Sequence, residues 1–241
     1  DEASFNKDWI QEIEASFTRS IENFSNEKIK SHIELISLED VQRITPQKPL
    51  NHFWNLFSSH VKDRPESIAI QTSKEEISYQ KLDELINRLS SVLYEKGINQ
   101  HKKVVVDVHR SLETVVLIFA ILRNKATFIP VDFEQGESRI EMIITDVEPD
   151  LIISHSKNVI AGYNCTVVSS LFNATPNKEL LKFEFQDHIA YILYTSGSTG
   201  TPKGCPIKMS SLTNYLQWSS ENYFETSNNG HFSWFTPLTF D

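Results

Sequence analysis

The chain has 241 residues, of which 39% are hydrophobic and 23% charged, and its formal net charge is −9. This composition is that of a globular chain with a sizeable buried core. The acidic balance argues against a basic surface for nucleic acid or anionic lipid, and the longest apolar run, Val115–Leu122, is too short to span a bilayer.

The N-terminal segment predicts an amphipathic helix followed by a linker. Within residues 5–24, large apolar side chains recur at spacings of four, four, four and three: Trp9, Ile13, Phe17, Ile21 and Phe24. Pro-Gln-Lys-Pro at 46–49 then punctuates the chain and predicts a domain boundary. The residues alone also allow this helix to be the first helix of the domain that follows.

From Leu50 onward, short apolar strands alternate with helical patterns, which predicts an α/β fold with a largely parallel sheet. Ser78 is the expected N-cap of a long helix that Gly97 ends, and Leu112–Leu122 is apolar on all sides. The expected strands lie at 68–71, 76–78, 104–108, 127–131, 151–154, 189–193 and 232–235, and the other expected helices begin near 52 and 140.

The most informative stretch is Tyr194–Gly204. It follows an apolar strand and precedes a helical pattern that places Leu212, Tyr215, Leu216 and Tyr223 on one face. Residues 195–204 hold three glycines, five hydroxyl residues and one lysine, which suits a polyphosphate: many small donors, little bulk and one cation. A flexible Ser/Gly loop is the competing interpretation. The P-loop of nucleotide hydrolases does not match, because Lys203 follows Pro202 rather than glycine.

Tyr194–Gly204 resembles the phosphate loop of adenylate-forming enzymes, which include acyl-CoA synthetases, luciferases and the adenylation domains of nonribosomal peptide synthetases. Ile77–Leu82 and Leu122–Asp132 resemble the first two core motifs of adenylation domains, and Thr239–Asp241 resembles the start of the fourth. The chain departs from the family pattern at four positions, which puts local turn geometry in question: Lys125 and Ala126 replace two glycines, Gly136 a common proline, and Met209 a common histidine.

The resemblance implies the N-terminal core lobe of an adenylate-forming enzyme, at residues 46–241 and incomplete. Residues 1–45 resemble the closing helix and linker of a condensation domain. The implied reaction of the complete protein joins an amino acid to ATP, giving aminoacyl-AMP and pyrophosphate, and then loads a phosphopantetheine thiol on a carrier domain. ATP and Mg²⁺ are the implied cofactors, the condensation and carrier domains the implied partners, and the cytoplasm the expected location. The fragment alone is expected to be inactive. An acyl-CoA or aryl-acid ligase and a non-catalytic docking module are the alternatives.

The resemblance also implies roles for individual residues. Lys203 is the expected catalytic residue, and the expected phosphate-binding residues are Thr195, Ser196, Gly197, Ser198, Thr199, Gly200 and Lys203. Asp241, preceded by Phe240, is the expected site for the substrate's α-ammonium group, although a lone Asp is also consistent with a solvated carboxylate. Cys165 and Cys205 lack CxxC spacing, and we expect both to be reduced; no His, Cys and carboxylate cluster has metal-ligand spacing.

Overall fold

The computed structural model describes residues 53–156, 159–160, 162–176, 187–196, 202–223 and 232–239, all within the unit Asn51–Asp241. The helix, linker and boundary predicted for residues 1–49 lie outside the described residues. Cys165 and Cys205 do not form a disulfide, in agreement with the sequence.

Helices and strands alternate as the sequence predicts. The helices of the described ranges are α1 (Phe53–Asp63), α2 (Tyr79–Glu95), α3 (Leu112–Arg123), α4 (Glu137–Val147), α5 (Val168–Phe172) and α6 (Met209–Tyr223). The strands are β1 (Ile68–Gln71), β2 (Glu76–Ser78), β3 (Lys103–Asp107), β4 (Thr127–Val131), β5 (Leu151–Ser154), β6 (Val159–Ile160), β7 (Tyr163–Asn164), β8 (Thr166–Val167), β9 (Ile189–Ser196) and β10 (Pro202–Lys208).

Within the described ranges, the main sheet has six strands in the order β10-β9-β4-β3-β5-β8. All neighbouring pairs are parallel except β9 and β10, which form an antiparallel pair. β1 with β2 and β6 with β7 form separate antiparallel pairs. The predicted α/β fold with a largely parallel sheet is confirmed.

Helices cover both faces of the sheet. Because successive residues of a strand point to opposite faces, neighbouring residues of β3 belong to different core clusters. Val104 and Val106 of β3 join a core cluster with α1, α2 and α3, whereas Val105 joins a second cluster with α4. From α4, four fully buried side chains face the sheet: Ile140, Ile143, Ile144 and Val147. Burying four such side chains contributes about 6–12 kcal/mol of transfer free energy, which stabilises the packing of α4 on this face of the sheet.

Local signals explain where several elements begin. The Ser78 side chain accepts a hydrogen bond from the Lys81 amide at 3.2 Å, so the predicted N-cap of α2 is confirmed. Gly136 precedes α4 with φ 101°, a conformation that only glycine adopts without strain. Lys125 keeps a left-handed backbone at φ 59° despite its side chain. A left-handed backbone at a residue other than glycine costs about 1–2 kcal/mol.

Three sequence expectations are wrong. The stretch after β9 does not lead directly into a helix, because β10 pairs back along β9 before α6 begins. The sequence of β10 contains two prolines and a glycine, which disfavour a strand and therefore kept it from being predicted. Proline is nevertheless tolerated in a strand at the sheet edge, where β10 lies. Residues 232–235 form no strand. Tyr215 of α6 is 59% exposed, since the helix instead buries Met209, Thr213 and Ser219.

Candidate functional site

The glycine-rich stretch lies in a β-hairpin. Thr195 of β9 stands directly opposite Lys203 of β10, and Ser196 opposite Pro202. Directly opposed residues of an antiparallel pair have Cβ atoms about 4.5–5.5 Å apart on one face, so the Thr195 hydroxyl and the Lys203 stem share a surface. Thr195 is half-buried and Lys203 is exposed. Residues 197–201, which connect the two strands, lie outside the described residues.

This hairpin rises from the carboxyl edge of the parallel sheet. β9 runs parallel to β4 through the pair Phe128 and Tyr191, and β4 runs parallel to β3. The ends of these strands therefore meet at one edge, which is where ligands of open α/β sheets bind. Thr195 and Lys203 both lie at that edge.

Tyr194, the residue before Thr195, is held by α4 at two points. Its carbonyl oxygen accepts a hydrogen bond from Arg139 Nη2 at 3.1 Å, and its hydroxyl donates to Asp146 Oδ2 at 2.5 Å. Burial, reinforced by the bond to the Asp146 carboxylate, raises the pKa of the Tyr194 phenol well above its usual value. The phenol therefore stays protonated and remains a donor.

The segment 232–239 passes over the same edge. Arg110, which follows β3, donates to the Phe235 carbonyl, and Trp234 Nε1 donates to the Thr236 carbonyl at 2.7 Å. Thr239 lines a cleft of about 10 Å³ together with Asp132, Arg139 and Tyr194 among others. A cleft this small holds one water at most. Its importance is positional, because Thr239 brings the chain beside Tyr194 just before Phe240 and Asp241.

A buried carboxylate organises the neighbouring strand ends, and the sequence analysis missed it. Asp107, 5% exposed at the end of β3, accepts hydrogen bonds of 3.4 Å from the Phe133 and His155 amides and from the Ser154 hydroxyl. His109 Nε2 lies 3.2 Å from Asp107 Oδ2. These contacts tie together the loops after β3, β4 and β5. The available signal was an acidic residue closing the apolar run Val104–Val106.

His109 and His155 pack edge to face, with ring centroids 4.2 Å apart. Burial, and secondly the neighbouring His109, lower the pKa of His155. The neutral form of the His155 ring is therefore favoured. Among the described residues, no group of His, Cys, Asp or Glu has an arrangement that could hold a metal ion.

The structure describes only part of the predicted site. It places Thr195, the Ser196 backbone and Lys203 together on one hairpin. The remaining predicted site residues lie outside the described ranges: Gly197, Ser198, Thr199, Gly200, Phe240 and Asp241.

A cavity of about 190 Å³ lies at the opposite, amino edge of the sheet, lined among others by His101, Lys103, Lys125 and His188. These residues precede β3, β4 and β9 or begin them, so the cavity is separated from Thr195 and Lys203 by the length of the strands. This cavity is therefore not part of the candidate phosphate site at the hairpin.

A family model described as "AMP-binding enzyme" matches residues 57–241. Gramicidin S synthase 2 of Brevibacillus brevis is 34% identical over 205 residues, which is 80% of this chain and 5% of that synthase. The chain therefore spans a small fraction of this curated relative's length.

Solved structures agree with the fold. MatB of Rhodopseudomonas palustris with bound ATP has a TM-score of 0.60 at 25% identity, covering 69% of this chain and 37% of MatB. NpsA-ThdA of Klebsiella oxytoca, an artificially fused adenylation–PCP di-domain, has a TM-score of 0.63 at 22% identity, covering 69% of this chain and 34% of the fusion. None of the helices in the described ranges combines the length and apolar character needed to cross a membrane.

Proposed function

This chain belongs to the AMP-binding enzyme family, as the N-terminal portion of an adenylation domain of the nonribosomal peptide synthetase type, and we propose that the complete protein activates an α-amino acid with ATP. One observation carries the proposal. Thr195 and Lys203 face each other across the hairpin that carries the glycine-rich connection, at the sheet edge where nucleotides bind in such folds.

Lys203 suits the binding and stabilisation of phosphate charge. It is exposed and forms no ion pair with any residue that the structure describes, so its ammonium group can turn toward a ligand. The half-buried Thr195 opposite it supplies a hydroxyl donor on the same face. Together with Ser196, Ser198, Thr199 and the amides of Gly197 and Gly200, these groups would hold the phosphates of ATP.

The proposed reaction needs charge stabilisation more than proton transfer. The substrate carboxylate attacks the α-phosphorus, the new carboxyl–phosphate bond forms, and the bond to pyrophosphate breaks. Negative charge then accumulates on the leaving pyrophosphate, where the Lys203 ammonium is worth most. Mg²⁺ would accompany ATP, because this ion usually takes its ligands from phosphates, waters and one or two carboxylates.

The proposed amino-acid site is Asp241, with Phe240 beside it. The position of Thr239 next to Tyr194 supports this, since two further residues lead from that point to Asp241. A carboxylate that the bound substrate covers needs a cationic partner, and a substrate ammonium group can be that partner.

The proposed partners are other domains of an assembly line. Residues 1–45 would be the closing helix of a condensation domain and its linker, and the activated group would pass to a phosphopantetheine thiol on a carrier domain. The apolar side chains of residues 5–24 support the first assignment, because five large side chains on one face need a packing surface.

ATP–pyrophosphate exchange in the full-length protein tests the proposal. Each amino acid is assayed beside its α-hydroxy analogue, and we expect exchange with at least one amino acid and little with its analogue. Equal use of both substrates would contradict the ammonium site and favour an acyl or aryl-acid ligase. Absence of exchange with every acid would favour a docking module.

A further inference from the structure

Two side chains of α4 hold one residue of β9. Neither side chain has a role in the proposed reaction described above. Arg139 and Asp146 are seven residues apart, two helical turns, so both project from the same face of α4. Arg139 binds the carbonyl of Tyr194, and Asp146 binds its hydroxyl. We call Arg139, Asp146 and Tyr194 the Tyr194 clamp.

The clamp acts where β9 leaves the parallel sheet. The pairing of β4 with β9 is at Phe128 and Tyr191, three residues before Tyr194. At Tyr194, which lies beyond this pairing with β4, the carbonyl accepts a hydrogen bond from the Arg139 guanidinium. This contact lies directly before Thr195.

The clamp also reaches β10. Tyr194 stands opposite Gly204, and a Cβ added at Gly204 would lie 3.1 Å from Tyr194 Cζ and 3.2 Å from its hydroxyl oxygen. The ring therefore covers the backbone of Gly204 closely. Next along the hairpin is the pair Thr195 and Lys203, whose side chains point to the other face.

We propose that Arg139 and Asp146 are positioning residues, which act through Tyr194 to fix the end of β9 and with it the hairpin that carries Thr195 and Lys203. This rests on the proposed function, because the hairpin is taken to bind phosphate. Tyr194 is 6% exposed and belongs to the core cluster of α4, so its ring is already immobilised by packing. The two polar contacts add direction. A phenylalanine would fill the same space and keep the Arg139 contact to the main-chain carbonyl, but it would lose the hydroxyl contact to Asp146.

The opposing explanation is that these are ordinary core contacts. A merely structural role predicts that their loss lowers stability and the amount of active protein, with the Michaelis constants of all substrates unchanged. A positioning role predicts a selective effect on ATP and pyrophosphate, because displacement of phosphate-binding groups by about 1 Å can cost up to a hundredfold.

The experiment uses the full-length protein with Tyr194→Phe, Arg139→Ala and the double variant. Tyr163→Phe is the matched control for the phenol, since Tyr163 is 43% exposed on β7. Arg88→Ala is the matched control for the arginine, because Arg88 also donates to a carbonyl, that of Phe172, at 2.9 Å. Pyrophosphate exchange measures KM for ATP, pyrophosphate and amino acid, and hydrogen exchange by mass spectrometry follows residues 191–208.

We expect Tyr194→Phe and Arg139→Ala to raise KM for ATP and pyrophosphate by about tenfold or more, with KM for the amino acid and both control variants unchanged. The double variant should change less than the product of the single changes, because both act on one residue. Amide exchange in residues 191–208 should accelerate in the clamp variants alone.

Equal changes in KM for ATP and amino acid, or unchanged KM values alongside faster amide exchange, would overturn the positioning role. The proposed function fails separately, if the wild type exchanges pyrophosphate with no acid. In that case the amide exchange decides the clamp by itself, and unchanged protection of residues 191–208 in both variants would refute it.

Discussion

Replacing Gly204 with alanine is expected to loosen the hairpin, although the change adds a single methyl group. The new Cβ would lie 3.1 Å from Ile192 Cγ2 and 3.1 Å from Tyr194 Cζ. Carbon atoms in good contact are about 3.5–4.0 Å apart, so several tenths of an ångström must be recovered at both neighbours. The tyrosine ring cannot simply retreat, because Asp146 holds its hydroxyl.

Overpacking of this kind typically costs about 1–3 kcal/mol. For local opening of the hairpin, that range corresponds to amide exchange about 5- to 150-fold faster in residues 191–208. Hydrogen exchange of the full-length protein measures it peptide by peptide. Cys205→Ala is the matched control, since Cys205 is the next residue of β10 and is exposed.

A Tyr194→Ala background sharpens the test. It removes one of the two close neighbours of alanine at position 204, so part of the added cost of Gly204→Ala should disappear there, and the remaining part belongs to Ile192. Wild-type protection in the Gly204→Ala protein would refute overpacking at this site, and the same cost with and without the Tyr194 ring would refute the approach of the ring as a cause.

Three further predictions concern charge. Lys203→Ala should lower the exchange rate by about 10²–10³-fold with little effect on amino-acid KM, whereas Lys74→Ala, an exposed lysine elsewhere, should leave both unchanged. Asp241→Ala should raise the amino-acid KM several hundredfold at unchanged ATP binding, since losing one partner of a buried ion pair costs about 3–5 kcal/mol. An unaltered ratio of the exchange rates with the amino acid and with its hydroxy analogue would contradict this. Because the pKa of His155 is lowered in the folded chain, the unfolded chain binds a proton at this histidine at a higher pH than the folded chain does. The stability of the β5 end should therefore be complete above about pH 6.5 and decline below it. His155→Gln should flatten this decline in hydrogen exchange corrected for intrinsic rates, and an unchanged slope would contradict it.

Most of the sheet could be predicted because its strands carry strong local signals. β4 and β5 are short apolar runs, and the structure has both with the predicted bounds. β10 could not be predicted, since Pro202, Gly204 and Pro206 all disfavour strands locally. Its partner β9 supplies the hydrogen bonds that overrule that preference.

The amino-acid sequence by itself determined the alternation of helices and strands, the phosphate-loop resemblance and the candidate residues Thr195 and Lys203. These depend on periodicity, caps and a dense local motif, and each of these patterns involves only residues close together in the chain. Only the tertiary structure decided that the stretch is a hairpin, that Asp107 gathers three loops, and that α4 holds Tyr194. The last two join residues far apart in the chain, Asp107 with His155 and Asp146 with Tyr194. Such contacts arise from the packing of elements against one another, which no local pattern encodes.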